Sequence, residues 1–128
     1  MSAARGPLRG ALRVLLAAFF ILAGANHFRM PGLYLGMMPP WVPWPSGLSA
    51  VAGACEILGG IGVLIPRLRV AAGWGLVALL VAVFPANLHV ALLGRMPGLS
   101  VSPATLWARL PFQAVLIAWA YWAAVAGE

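Results

Sequence analysis

Seven polar side chains fall inside or at the ends of otherwise apolar stretches: Asn26 and His27, Glu56, Asn87 and His89, Arg109 and Gln113. Glu56 is the only acidic residue besides Glu128. A carboxylate at membrane depth costs roughly 2.5–3.5 kcal/mol on insertion scales, so it must be paired, hydrogen-bonded or protonated. Arg109 is the other charge within an apolar stretch and the natural partner for Glu56. Such a pair has two readings. It is a proton-handling site, with Glu56 as proton carrier and His27, Asn87 and Arg109 as hydrogen-bond donors, or a clamp that only holds two helices together. Arg109 and Gln113 stand at i and i+4, on one face of a helix.

The elements that position these residues are four apolar stretches, about 8–28, 47–65, 70–93 and 104–125. Each is long enough to cross a hydrocarbon core of about 30 Å at about 1.5 Å per residue. The chain is 63% hydrophobic and 8% charged, against roughly 25% charged in a soluble domain. Mean hydropathy is +0.98. The expected fold is all-α and integral to the membrane: residues 1–128 form one domain, a four-transmembrane-helix antiparallel bundle. The first stretch also resembles a signal peptide, with Arg5, Arg9 and Arg13 ahead of the apolar run and Ala23-Gly24-Ala25 behind it. It is read here as a retained helix.

Orientation follows from the arginines. With the N-terminus inside, Arg5, Arg9, Arg13, Arg67 and Arg69 lie on the cytoplasmic side, and Arg29, Arg95 and Arg109 toward the other. Both termini are therefore expected to be cytoplasmic, in a multi-pass protein of the plasma (inner) membrane. In four alternating helices all seven polar residues then converge on the outer half of the membrane, with Glu56 about 13 Å below the outer end of its helix. Ala52, Glu56 and Gly60 share a stripe with Gly53 and Gly59 beside it, which marks close helix packing and turns Glu56 inward. Pro85 and Pro111 each remove one helix hydrogen bond near this depth. Trp107, Trp119, Tyr121 and Trp122, with Trp41, Trp44 and Tyr34 of the proline-rich first connection, suit an interfacial aromatic belt. A short interfacial helix is expected over 33–38.

Composition excludes several classes. The eight basic residues are all arginine and are scattered singly, which suits membrane topology rather than nucleic-acid binding. A single Cys55 cannot form an intrachain disulfide, a dithiol couple or a cysteine-based zinc site. His27 and His89 have no third ligand at a diagnostic spacing, so neither metal nor haem is expected.

The segments GANHFRMPGLYLGMMPPWVP, AGACEILGGIGVLIPRLR, AAGWGLVALLVAVFPANLHVAL and LWARLPFQAVLIAWAY resemble DoxX-family membrane proteins over about residues 12–124. The resemblance implies a four-helix membrane bundle. For some members it implies the small membrane subunit of a thiosulfate:quinone oxidoreductase or of a redox-protective complex. Related eukaryotic proteins resemble cargo receptors or receptor chaperones. The family's recurring polar positions correspond to His27, Glu56, Asn87 and Arg109. The expected function is therefore a membrane subunit with a polar outer-leaflet pocket that binds a quinone or similar small apolar molecule. Phe84, Trp107 and Phe112 would supply its walls, and His27, Glu56, Asn87, Arg109 and Gln113 its polar contacts. The chain carries no electron carrier, so a redox partner protein is expected, beside the lipid bilayer and further copies of the chain in a homo-oligomer. The alternative is a non-enzymatic scaffold, chaperone or transport factor whose polar cluster is structural and whose Trp41 and Trp44 engage a partner.

Overall fold

The computed structural model describes residues 5–96 and 100–126, and their fold is all-helical. The helices are α1 (Arg5–Arg29), α2 (Pro31–Met37), α3 (Pro45–Leu64), α4 (Arg69–Leu93) and α5 (Pro103–Ala120). A π-helical turn, Tyr121–Val125, continues α5. The short helix expected at 33–38 is α2, displaced toward the N-terminus because Pro31 sits in its first turn. Proline also opens α3 and α5, where its fixed φ suits a helix start and its missing N–H is not needed. Ser102 caps α5, its Oγ accepting from the Thr105 N–H at 3.2 Å. Gly94 closes α4 in the left-handed region at φ 73° and donates its N–H to the carbonyls of Val90 and Ala91.

Among the described residues three helices are long and apolar enough to cross a membrane: Gly6–Arg29 within α1, Pro45–Leu64 and Arg69–Leu93. The fourth expected span, α5, is helical but is not one of these three. Its 18 residues include Arg109 and Gln113, which lower its hydropathy.

α1 packs on α3, α3 on α4, α4 on α5, and the π-helical end of α5 returns to α1. Every one of these pairings is antiparallel. Gly24 meets Gly53 while Ala17 meets Gly60, and Gly59 meets Leu76 while Gly62 meets Ala72. Gly73 meets Ala124 while Leu80 meets Gln113. α3 and α5 therefore stand diagonally. The ring closes through Arg13, whose Nε donates to the Ala123 carbonyl at 2.8 Å, and through Trp119, whose indole donates to the Leu12 carbonyl at 3.1 Å. The Arg9 guanidinium lies 5.0 Å from the Trp122 ring centroid. Trp119 and Trp122, expected in the belt, are instead half-buried against α1 and the core.

Two apolar clusters fill the interior. The larger gathers Leu16, Ala17 and Phe20 of α1 with Val63, Leu76, Leu80, Leu116 and the alanines at the end of α5. The smaller gathers Met37, Val90, Ala91, Met96 and Leu106. Along α1, α3, α4 and α5 the polar residues fall beyond the first cluster, and on α4 and α5 they lie between the two. The outer faces remain apolar: Leu22 is 70% exposed, Leu58 68%, and Val81 and Val115 59% each. A surface of this kind suits lipid rather than water.

Candidate functional site

The site begins with how closely α1 approaches α3. A Cβ on Gly24 would lie 2.5 Å from the Gly53 carbonyl oxygen, and a Cβ on Gly53 would lie 2.7 Å from the His27 Cβ. Only glycine fits at both positions, and their contact sets His27, one turn beyond Gly24, over Glu56, one turn beyond Gly53. His27 Nε2 lies 3.2 Å from Glu56 Oε1, and His27 Nδ1 lies 3.1 Å from Ser49 Oγ. All three side chains are buried. A carboxylate only accepts, so one tautomer satisfies the row: Nε2–H donates to Glu56, and Nδ1 accepts from the Ser49 hydroxyl. Tyr34 of α2 stacks on the imidazole at 3.7 Å between centroids, and its hydroxyl accepts from Asn26 Nδ2 at 2.8 Å. Asn26 Oδ1 in turn accepts from Arg29. The histidine is thereby fixed on both edges and one face.

Glu56 Oε2 is different. It is buried and has no hydrogen-bond partner among the described residues. Leaving a buried polar atom unpaired costs roughly 1–3 kcal/mol, more for a charged group. The Glu56 side chain borders a partly open cavity of about 220 Å³ bounded by α1, α2, α3, α4 and α5, which His27, Tyr34, Asn87 and Arg109 also line. The remaining walls are apolar, among them Phe19, Phe20, Met37, Leu80 and Leu116. A smaller hollow of about 180 Å³ is lined by His27, Ser49 and Pro31. His27 thus lines both hollows, with Nε2 bonded to Glu56 of the larger and Nδ1 to Ser49 of the smaller.

Opposite Glu56, Asn87 of α4 donates through Nδ2 to Gln113 Oε1 of α5, and Gln113 Nε2 donates to the Leu80 carbonyl. Leu80 lies in the stretch of α4 that Pro85 deprives of one helix donor. Gln113 is buried behind Asn87 rather than exposed in the cavity wall.

Four of the expected polar residues, His27, Glu56, Asn87 and Arg109, therefore meet at one cavity, and Gln113 holds one of them. The expected Glu56–Arg109 pair is replaced by Glu56–His27. Across the bundle diagonal, Arg109 donates Nη1 to the Met96 sulfur at 3.4 Å. The expected aromatic walls are also replaced. Phe84, Trp107 and Phe112 are 39%, 47% and 52% exposed, and the cavity is walled by Phe19 and Phe20 instead. His89 is half-buried and outside the cavity wall. Ser49 and Tyr34 went unrecognised in the sequence as site residues. Ser49 stands seven residues before Glu56, two helical turns along the same face, which is the signal that identifies it. Among the described residues no three His, Cys, Asp or Glu side chains gather as a metal site would need. The chemistry on offer is hydrogen bonding and proton exchange in an apolar enclosure.

Neither a curated protein nor a solved structure matches the chain. A family model does match, over residues 16–124, spanning all of these site residues, α1 from Leu16 onward and the whole of α3, α4 and α5: the chain belongs to the family described as Domain of unknown function (DUF8561).

Proposed function

We propose that the chain is a membrane subunit of four spans, with both termini cytoplasmic. It binds a quinone, or a similar small apolar molecule, in the cavity bordered by Glu56, and it works with a redox partner protein that carries the electrons. The observation that carries this reading is that Glu56 lines a largely apolar cavity while its buried Oε2 has no partner among the described residues. A quinol hydroxyl is a donor of the right size for that oxygen. Asn87 and Arg109 are donors for a ring oxygen at the other side. The Met96 sulfur is a weak acceptor and satisfies little of the guanidinium's donor capacity. Oxidation of the quinol releases two protons and two electrons: the protons pass one after the other to Glu56, the first moving on before the second arrives, and both electrons go to the partner. His27, in the tautomer with Nε2 bare toward protonated Glu56 and Nδ1–H toward Ser49, offers each proton a way toward the smaller hollow beside Ser49.

The DoxX-like pattern on His27, Glu56, Asn87 and Arg109 and the arginine distribution support the same reading. α5 spans with its polar face turned to the cavity and its apolar face to lipid. A second reading, a scaffold, chaperone or transport factor, draws on Trp41 and Trp44, which are 71% and 68% exposed. Titration of the purified protein with a water-soluble benzoquinone and its quinol separates the two. Saturable binding that Glu56→Gln weakens by about tenfold, or ~1.4 kcal/mol, supports the quinone site. Equal or negligible binding by both proteins favours the scaffold.

A further inference from the structure

A second hollow of about 350 Å³ adjoins the polar cavity. Its walls are the Met38–Pro43 loop, Leu48 and Val51 of α3, and Leu79 of α4, and almost no polar atom faces it. Met38, Ala52, Val83 and Ala86 line both hollows, one from each side. Two of these four are alanines and a third is a flexible methionine, so small and adaptable side chains stand between the hollows. Polarity therefore divides along one line, with hydrogen-bonding groups at the Glu56 end and hydrocarbon at the Val51 end.

We infer that the second hollow holds the apolar tail of the molecule whose ring occupies the first, so that the ligand class is a tailed quinone, prenyl or alkyl, rather than a free ring. This rests on the quinone reading of the polar cavity. Within a bilayer a tail already lies in hydrocarbon and gains nothing by leaving water. The hollow then acts through shape, directing the tail between α3 and α4 under the proline-rich loop while the ring turns toward Glu56. Val51 is 49% exposed, which places one end of the hollow at the outer surface of the helices, where a tail can pass to lipid.

The test uses the full chain in phosphatidylcholine nanodiscs. The probe is a dimethoxy-methyl-benzoquinone whose decyl chain ends in a diazirine, and the competitor is the same ring without a chain. After irradiation, labelled residues are mapped by peptide mass spectrometry. Labelling is expected on residues 39–43, Leu48, Val51 and Leu79, and excess competitor should lower it by about fivefold. Val51→Trp, or Leu48→Trp if that variant folds poorly, should lower it as much. Binding of the tail-less ring, measured by equilibrium dialysis, should stay within about twofold in either variant. Labels spread over Leu22, Leu58 and Val115 overturn the inference. So does labelling of the hollow that the competitor leaves untouched, which marks an ordinary slot for a lipid chain. If the tail-less ring fails to bind in dialysis, the reading of the polar cavity falls, and the inference falls with it.

Discussion

Gly24 and Gly53 touch backbone to backbone, so closely that a Cβ on Gly24 would lie 2.5 Å from the Gly53 carbonyl oxygen. That contact sets the distance between α1 and α3, and with it the meeting of His27 and Glu56. Gly53→Ala is expected to destabilise the protein by about 1–3 kcal/mol, because the backbones must part to admit the methyl group. Gly75→Ala is the control, since nothing lies within 4 Å of a Cβ there. It should be neutral or slightly stabilising. Thermal melts of the two variants in one detergent measure the difference.

His27 and Glu56 should respond unequally to substitution. Glu56→Gln keeps an oxygen facing Nε2 and removes the buried charge, so its melting temperature should stay near that of the wild type. His27→Phe strands both the carboxylate and the Ser49 hydroxyl in an apolar surround and should cost about 3 kcal/mol. Restoring stability to His27→Phe by adding Glu56→Leu would show that the stranded charge was the cause. A double variant as unstable as His27→Phe alone would contradict it.

Asn87 and Gln113 clasp α4 to α5. Interhelical hydrogen bonds of this kind contribute about 0.6 kcal/mol on average. A double-mutant cycle of Asn87→Leu and Gln113→Leu should return a coupling near that size. Gln113→Leu should be the costlier single change, since Gln113 also holds the Leu80 carbonyl.

Much of this arrangement is legible in the sequence, and the gaps have physical causes. The four long helices follow from apolar length, with proline, serine and glycine at their ends, and the observed bounds lie within a few residues of the expected ones except where α5 passes into a π-helical turn. The inward turn of Glu56 follows from the small residues at 53 and 60, which do face α1. Its partner does not follow. Charge alone selects Arg109, but the same small residues direct the Glu56 face to α1, where His27 lies, and leave Arg109 across the diagonal. The aromatic walls misled for a related reason. Leu106, Gln113, Leu116 and Ala120 mark the buried face of α5, and Trp107 and Phe112 are a helical step off it. On α4 Phe84 stands one turn after buried Leu80, yet it is 39% exposed, so periodicity alone does not exclude it. Tyr34 depends on a loop path that proline content alone leaves undetermined.

Topology separates three spans from four. Four spans put both termini on the same side, and three put them on opposite sides. Fusions of a cytoplasm-active reporter to either end should both be active, whereas one active and one silent fusion would show that α5 does not cross.

The most direct measurement is an experimental structure of the protein in a lipid phase, soaked with a short-chain quinol. Ring density is expected between α1 and α4, with one ring oxygen within hydrogen-bonding distance of Glu56 Oε2 and the other toward Asn87 or Arg109. A collapsed cavity with the Arg109 guanidinium directly on Oε2 and no ring density would contradict it, and would leave Glu56 as half of a structural clamp.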